Sequence, residues 1–300
     1  MNKTAKAPNT AYPIKLIPHI VTPIWGSETW LLSVRENAAA VAANGSFAGA
    51  TLRQLFEEHP ALFGTKCGKD FPLLVKFIDA QDDLSIQVHP RDSDTEVLKP
   101  GEAGKTECWY VLSAKGGSKI YLGFRDEITP EKFARAIEKG NLSRYVQAHR
   151  VKRGDFYYIP AGTLHAIGKG VHLAEVQQNS DTTYRVFDYN RLQDGKPRPL
   201  HVEQACAVTD LQPYYPLPYI DPNTLVKNEL FTVKKYGPSA FSGHVDDESF
   251  ASVVVTEGSG ILHCEGHEPL ALEVGDSLFL PAGLGEFSVE GRCRILDVRL

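Results

Sequence analysis

The sequence lacks long apolar runs, paired cysteines and any excess of basic residues, and each shortage closes off a class of function. No segment approaches the roughly 20 apolar residues that cross a bilayer. The apolar run from Leu16 to Trp25 carries Pro18 and Pro23, so it reads neither as a membrane span nor as a secretory signal. The five cysteines (Cys67, Cys108, Cys206, Cys264 and Cys293) are scattered, odd in number and without a Cys-x-x-Cys pair. That argues against a disulfide framework or a zinc knuckle and fits a reducing compartment. The expectation is a cytoplasmic chain with no membrane partner. A net charge of −5 offers no basic footprint for nucleic acid, although a few local cations suffice for a small anion. Low-complexity tracts are absent as well. With 42% apolar and 23% charged residues, the 300-residue chain has the composition of a globular protein with one large or two modest cores.

What the sequence does have is a succession of short strands with few helices. Leu84-Ser-Ile-Gln-Val-His-Pro90 alternates, so Ser85, Gln87 and His89 share one face while Ile86 and Val88 share the other, and Pro90 closes the strand. Phe71–Ala80 reads as a buried strand. In Gly104–Leu112, Lys105, Glu107 and Trp109 fall on one face. Helices are predicted over Ala50–His59, with Thr51 as cap and Pro60 as stop, over Thr129–Gly140, and over Val202–Val208. A short one is expected at Asp92–Leu98. Residues 1–11 are polar and read as frayed. Four prolines between Leu211 and Pro222 mark a boundary, giving domains at 1–211 and 212–300.

An internal repeat decides the fold class. Gly154-Asp-Phe-Tyr-Tyr-Ile-Pro-Ala-Gly-Thr-Leu-His165 returns as Gly275-Asp-Ser-Leu-Phe-Leu-Pro-Ala-Gly-Leu-Gly-Glu286. Gly-Asp, a few strand residues, Pro-Ala-Gly and a second strand resemble the turn pattern of the cupins, double-sheet jelly rolls. The expected fold is mainly β, two tandem cupin barrels with a few inserted helices. Glu286 stands where the first copy has His165, so the second barrel is read as one without metal ligands.

In the first copy four donors fall at recurring places: Gln87 and His89 on one strand, Glu107 about a hairpin later, and His165 after the Pro-Ala-Gly turn. Two imidazoles and a carboxylate suit Zn²⁺, Fe²⁺ or Mn²⁺, with the Gln87 amide oxygen as a weaker fourth donor. Lys105 and Arg185 supply positive charge to the same region, which favours a phosphorylated, hydroxyl-rich substrate. The two-histidine, one-carboxylate set would also serve an iron dioxygenase, but Lys105 and Arg185 have no evident task there. A sugar-phosphate-binding regulator is the other alternative, and it has no need of an open metal.

Ser85–Pro90, Lys105-Thr-Glu107, the Gly154–Ile167 segment and Gln177-Gln-Asn-Ser-Asp-Thr-Thr-Tyr-Arg185 together resemble the type I mannose-6-phosphate isomerases, most closely their short bacterial form, over most of residues 12–210. The resemblance implies an enzyme with one Zn²⁺ per chain that interconverts mannose 6-phosphate and fructose 6-phosphate through a cis-enediol. Carried over by motif, Gln87, His89, Glu107 and His165 take the zinc positions and Lys105 and Arg185 the catalytic ones. Ser85, Trp25 and Asp181 take substrate-binding places. The chain departs from longer members in reading Lys-Thr-Glu for Lys-Pro-Glu and in lacking their large helical domain. The base stays open among Glu175, Asp181, Lys105, a ring histidine and zinc-bound water.

Overall fold

A computed structural model describes residues 11–217 and 220–300. It is mainly β, as the repeat and the spacing of turns predict. The chain divides into two compact units, one of residues 20–29 and 73–218, the other of residues 1–19, 30–72 and 219–300. This division differs from a single cut at 211/212. The strand Ile14–Ile17 pairs antiparallel with Ser277–Leu280, Ile14 opposite Phe279, and Val41–Ala42 extends the same sheet. Phe63 and Phe71 pack with Phe250 and Phe279, ring centroids 4.7 to 6.0 Å apart. Phe63 and Phe71 are thus buried with the C-terminal strands, a long-range pairing no composition shift announces. The expected frayed N-terminus lies, apart from Ala11, outside the described residues.

The unit of residues 20–29 and 73–218 carries two antiparallel sheets. One runs in the order Phe156–Ile159, Glu107–Ala114, Val171–Gln178, Leu73–Ala80 and then Gly26–Leu32. The other runs Tyr184–Phe187, Ile86–Val88, His165–Ile167, Lys119–Phe124 and Val146–Arg150. Trp25, Ile78, Trp109, Leu122, Ile159 and Ile167, drawn from both sheets, form one buried cluster.

The second sheet's opposite side is sealed by helices. Ile86, Val88, Ala166 and Val186 pack with Phe133, Ile137, Ala205 and Val208 in a separate buried cluster. Phe133 and Ile137 come from the helix Pro130–Glu138, which starts as predicted with Thr129 accepting a hydrogen bond from the Lys132 amide and proline at the first turn. Leu52–Glu58 is capped by a reciprocal Thr51–Gln54 box, and Val202–Val208 is helical as expected. Asp92–Leu98 is not. Asp94 there accepts from the Arg91 amide on its carboxylate and from the Val97 and Leu98 amides on its carbonyl, but Lys99-Pro100 follows at once, so the segment stays a chain of turns. The alternation at 84–90 therefore has a plain cause. Its apolar row lies under helices, so its polar row faces the space between the sheets.

The repeated turn has the expected form in each unit. Phe156–Ile159 and His165–Ile167 flank Pro160-Ala-Gly162, and Ser277–Leu280 and Gly285–Arg299 flank Pro281-Ala-Gly283. Gly162 and Gly283 both take positive φ, +90° and +75°, which suits glycine.

Candidate metal centre

Register builds the site. On one sheet Gln87 lies directly between Arg185 and His165 on the neighbouring strands, so the three side chains make one row. On the other sheet Gln177 lies opposite Glu107, and Glu175 lies between Trp109 and Lys76. His89 follows its strand and Lys105 precedes its own, each buried. The rows enclose a cavity of about 200 Å³ lined by Trp25, Ser85, Gln87, Lys105, His165, Asp181 and Arg185 among others. His89 and Glu107 sit beneath that lining.

His89, Glu107 and His165 bring one donor atom each to within 4.8 Å of one another, the one such cluster of metal-binding side chains among the described residues. Glu107 Oε2 is 3.5 Å from His89 Nε2, and Oε1 is 3.6 Å from His165 Nε2. A tetrahedral ion with bonds of about 2.1 Å has ligand–ligand edges of about 3.4 Å, so the spacing fits. The tautomers fit too. His89 Nδ1 meets the Thr182 carbonyl at 2.8 Å and His165 Nδ1 meets that of Thr163 at 2.8 Å. Each Nδ1 must carry the hydrogen, which leaves each Nε2 a lone pair turned toward Glu107. Burial pushes both imidazoles below their ordinary range, and for His89 the nearby Lys105 adds to it. Both are therefore neutral at pH 7, the form that binds metal. Glu107 is fully buried, and its Oε1 has no hydrogen-bond donor. Such a carboxylate calls for a cation. The Lys105 ammonium supplies one, with Nζ 2.7 Å from Oε2 and 3.1 Å from His89 Nε2.

Lys105 is in turn part of a buried line of charge. Glu175 lies 3.8 Å from Lys105 and 3.0 Å from Lys76, and accepts a 2.8 Å hydrogen bond from Trp109 Nε1. Lys76 also reaches Glu28 at 3.2 Å. Burial would raise the Glu175 pKa, but Lys76 and then Lys105 outweigh it and hold the carboxyl down at about 2. Burial would lower the Lys76 ammonium, and Glu175 and Glu28 instead hold it raised.

The remaining candidates fall at the cavity's other walls. Arg185 Nε donates to Ser85 Oγ at 3.2 Å, and Ser85 donates to Gln87 Oε1 at 3.3 Å. Gln87 turns its Nε2 to His165 Nε2 at 3.5 Å. Trp25 is buried in the core and also lines the cavity. Asp181 is exposed, with its amide donating to Glu102. Sequence reasoning missed Lys76, Glu28, Gln177 and Arg198, all of which line the cavity. A lysine inside the otherwise apolar Leu73–Ile78 run was the legible signal for one of them.

The model of the phosphomannose isomerase type I catalytic domain matches residues 15–107, and that of the mannose-6-phosphate isomerase cupin domain matches residues 221–300. The mannose-6-phosphate isomerase ManA of Bacillus subtilis is 39% identical over 274 residues, covering 88% of this chain and 86% of its own. The chain belongs to the type I mannose-6-phosphate isomerase family. The mannose-6-phosphate isomerase of Streptococcus mutans is 38% identical over 90% of this chain and 87% of its own. A crystal structure of the mannose 6-phosphate isomerase from Bacillus subtilis superposes with a TM-score of 0.89 at 35% identity, covering 96% of this chain and 99% of that one. Of the metal candidates in this isomerase-family chain, Gln87, His89 and Glu107 fall within the matched catalytic segment, and His165 lies beyond it.

Proposed function

We propose that this chain interconverts D-mannose 6-phosphate and D-fructose 6-phosphate through a cis-enediol, with one Zn²⁺ held by His89, Glu107 and His165. The observation that carries the reading is the buried Glu107 carboxylate facing two neutral imidazole nitrogens, beneath a cavity that Arg185 and Lys105 line. Gln87 is the fourth donor if its amide turns its oxygen toward His165. Zinc bound there would act as a Lewis acid, polarising the sugar's C1 and C2 oxygens. No helix among the described residues is long and apolar enough to cross a membrane.

The chain's own residues then have separable tasks. Arg185 presents a guanidinium to the charge that develops on the enediolate oxygens and, with Ser85, orients the phosphorylated sugar. Trp25 excludes water from one wall, and Asp181 contacts the substrate from the rim. The base is narrowed by the geometry. Both imidazoles are committed at Nδ1 to carbonyls and at Nε2 to the metal position. Glu175, at about 2, is a poor match for proton transfer near neutrality. Lys105 and Asp181 remain as protein groups facing the cavity. Glu175 instead keeps Lys105 in place.

Metal-loaded protein given mannose 6-phosphate should form fructose 6-phosphate, chelation should stop it, and zinc should restore it. Unphosphorylated mannose should turn over poorly. Full zinc occupancy without turnover would reject the proposal. Arg185→Ala should lose kcat by ~100- to 1,000-fold while retaining its metal. Unchanged kcat would remove Arg185 from the reaction.

A further inference from the structure

Gln177 has an unusual bonding pattern for a fully buried amide. Its Nε2 donates to two backbone carbonyls, of Gln178 at 2.8 Å and of Ser180 at 2.9 Å, so both hydrogens are used. Those two acceptors fix which end of the amide is oxygen. Oε1 is left without any donor at 0% exposure, and the side chain lines the cavity. An acceptor buried in this way is costly unless a ligand supplies the hydrogen. Glu107 lies directly opposite across the strand pair, so the acceptor stands beside the metal-binding end of the cavity.

We propose that Gln177 is a specificity-determining residue whose Oε1 accepts a hydrogen bond from the C3 hydroxyl of the sugar phosphate. The assignment rests on the isomerase reading. If C1 and C2 react at the His89–Glu107–His165 end, the next hydroxyl along the chain is the one Gln177 meets. The locked amide offers only a lone pair there, so it selects a hydroxyl donor and rejects a carbon that lacks one.

The test deletes the hydroxyl and the acceptor separately. Wild-type enzyme should lose about 10- to 100-fold in kcat/KM on 3-deoxymannose 6-phosphate relative to mannose 6-phosphate. Gln177→Met removes the acceptor at similar length. It should lose a comparable factor on the parent sugar and less than about threefold more on the 3-deoxy sugar, the signature of coupled groups. Titration calorimetry with mannitol 6-phosphate and its 3-deoxy counterpart, which cannot isomerise, should show the same pattern in Kd. Equal wild-type values for the parent and 3-deoxy ligands overturn the proposal, as does a penalty confined to the 4-deoxy sugar. These wild-type comparisons decide the matter even if Gln177→Met folds poorly. Absence of turnover on mannose 6-phosphate with metal bound would reject the isomerase reading, and the calorimetric comparison would still judge Gln177.

Discussion

Glu107→Gln should leave the protein with little bound zinc and lower kcat/KM by at least ~100-fold, since even groups that only orient a metal's ligands cost ten- to a hundredfold when removed. The carboxylate is the single negative group among the three clustered donors, and its oxygens face both imidazoles. An amide keeps the shape and removes the charge. It also leaves the Lys105 ammonium, 2.7 Å from the lost charge, with only Glu175 at 3.8 Å to offset it. The substitution therefore tests metal binding and buried-charge balance together, and zinc content by atomic absorption separates them. A variant with full zinc and wild-type turnover would show that the metal is held elsewhere.

Lys76→Met should destabilise the fold by about 3–5 kcal/mol, the usual cost of removing one partner of a buried ion pair, because Glu175 then keeps only Lys105 at 3.8 Å. The Lys76 side chain is 9% exposed and that of Glu175 is 3% exposed, so solvent screens little of the interaction. Urea unfolding measures the loss, and adding Glu175→Gln should recover part of it by removing the orphaned charge. The same pair predicts an acid limb to stability. Glu175 titrates near 4.3 when unfolded and at about 2 when folded. A depressed folded value means its contribution is complete above about pH 4.3 and disappears as pH falls toward 2. Lys76→Met should flatten that limb, and an unchanged pH profile would contradict the charge pairing. Turnover should fall as well, because Glu175 would be drawn to Lys105 alone.

The Gln87/His89 alternation, Glu107 beside Lys105, and the Pro-Ala-Gly turn before His165 were all legible as chemistry along the chain. They were legible because strand periodicity and turn residues are local properties. The mainly β class followed from the same signals, as did three helices, two of which have caps written in adjacent residues. Asp92–Leu98 failed as a helix because seven residues ending against Lys99-Pro100 are too short a run to hold one without tertiary support.

By itself, then, the amino-acid sequence determined which donors could serve a metal and on which face of their strand they lie. Tertiary structure decided that Arg185, Gln87 and His165 form one row, since that depends on register between strand residues 78 and 98 positions apart. It also decided the histidine tautomers, because the carbonyls of Thr182 and Thr163 assign them, and it turned Lys76 from an oddity in an apolar run into the counterion of Glu175. Residues 30–72 joined the C-terminal strands for the same reason. Contacts between distant segments are fixed by packing, which no local pattern records.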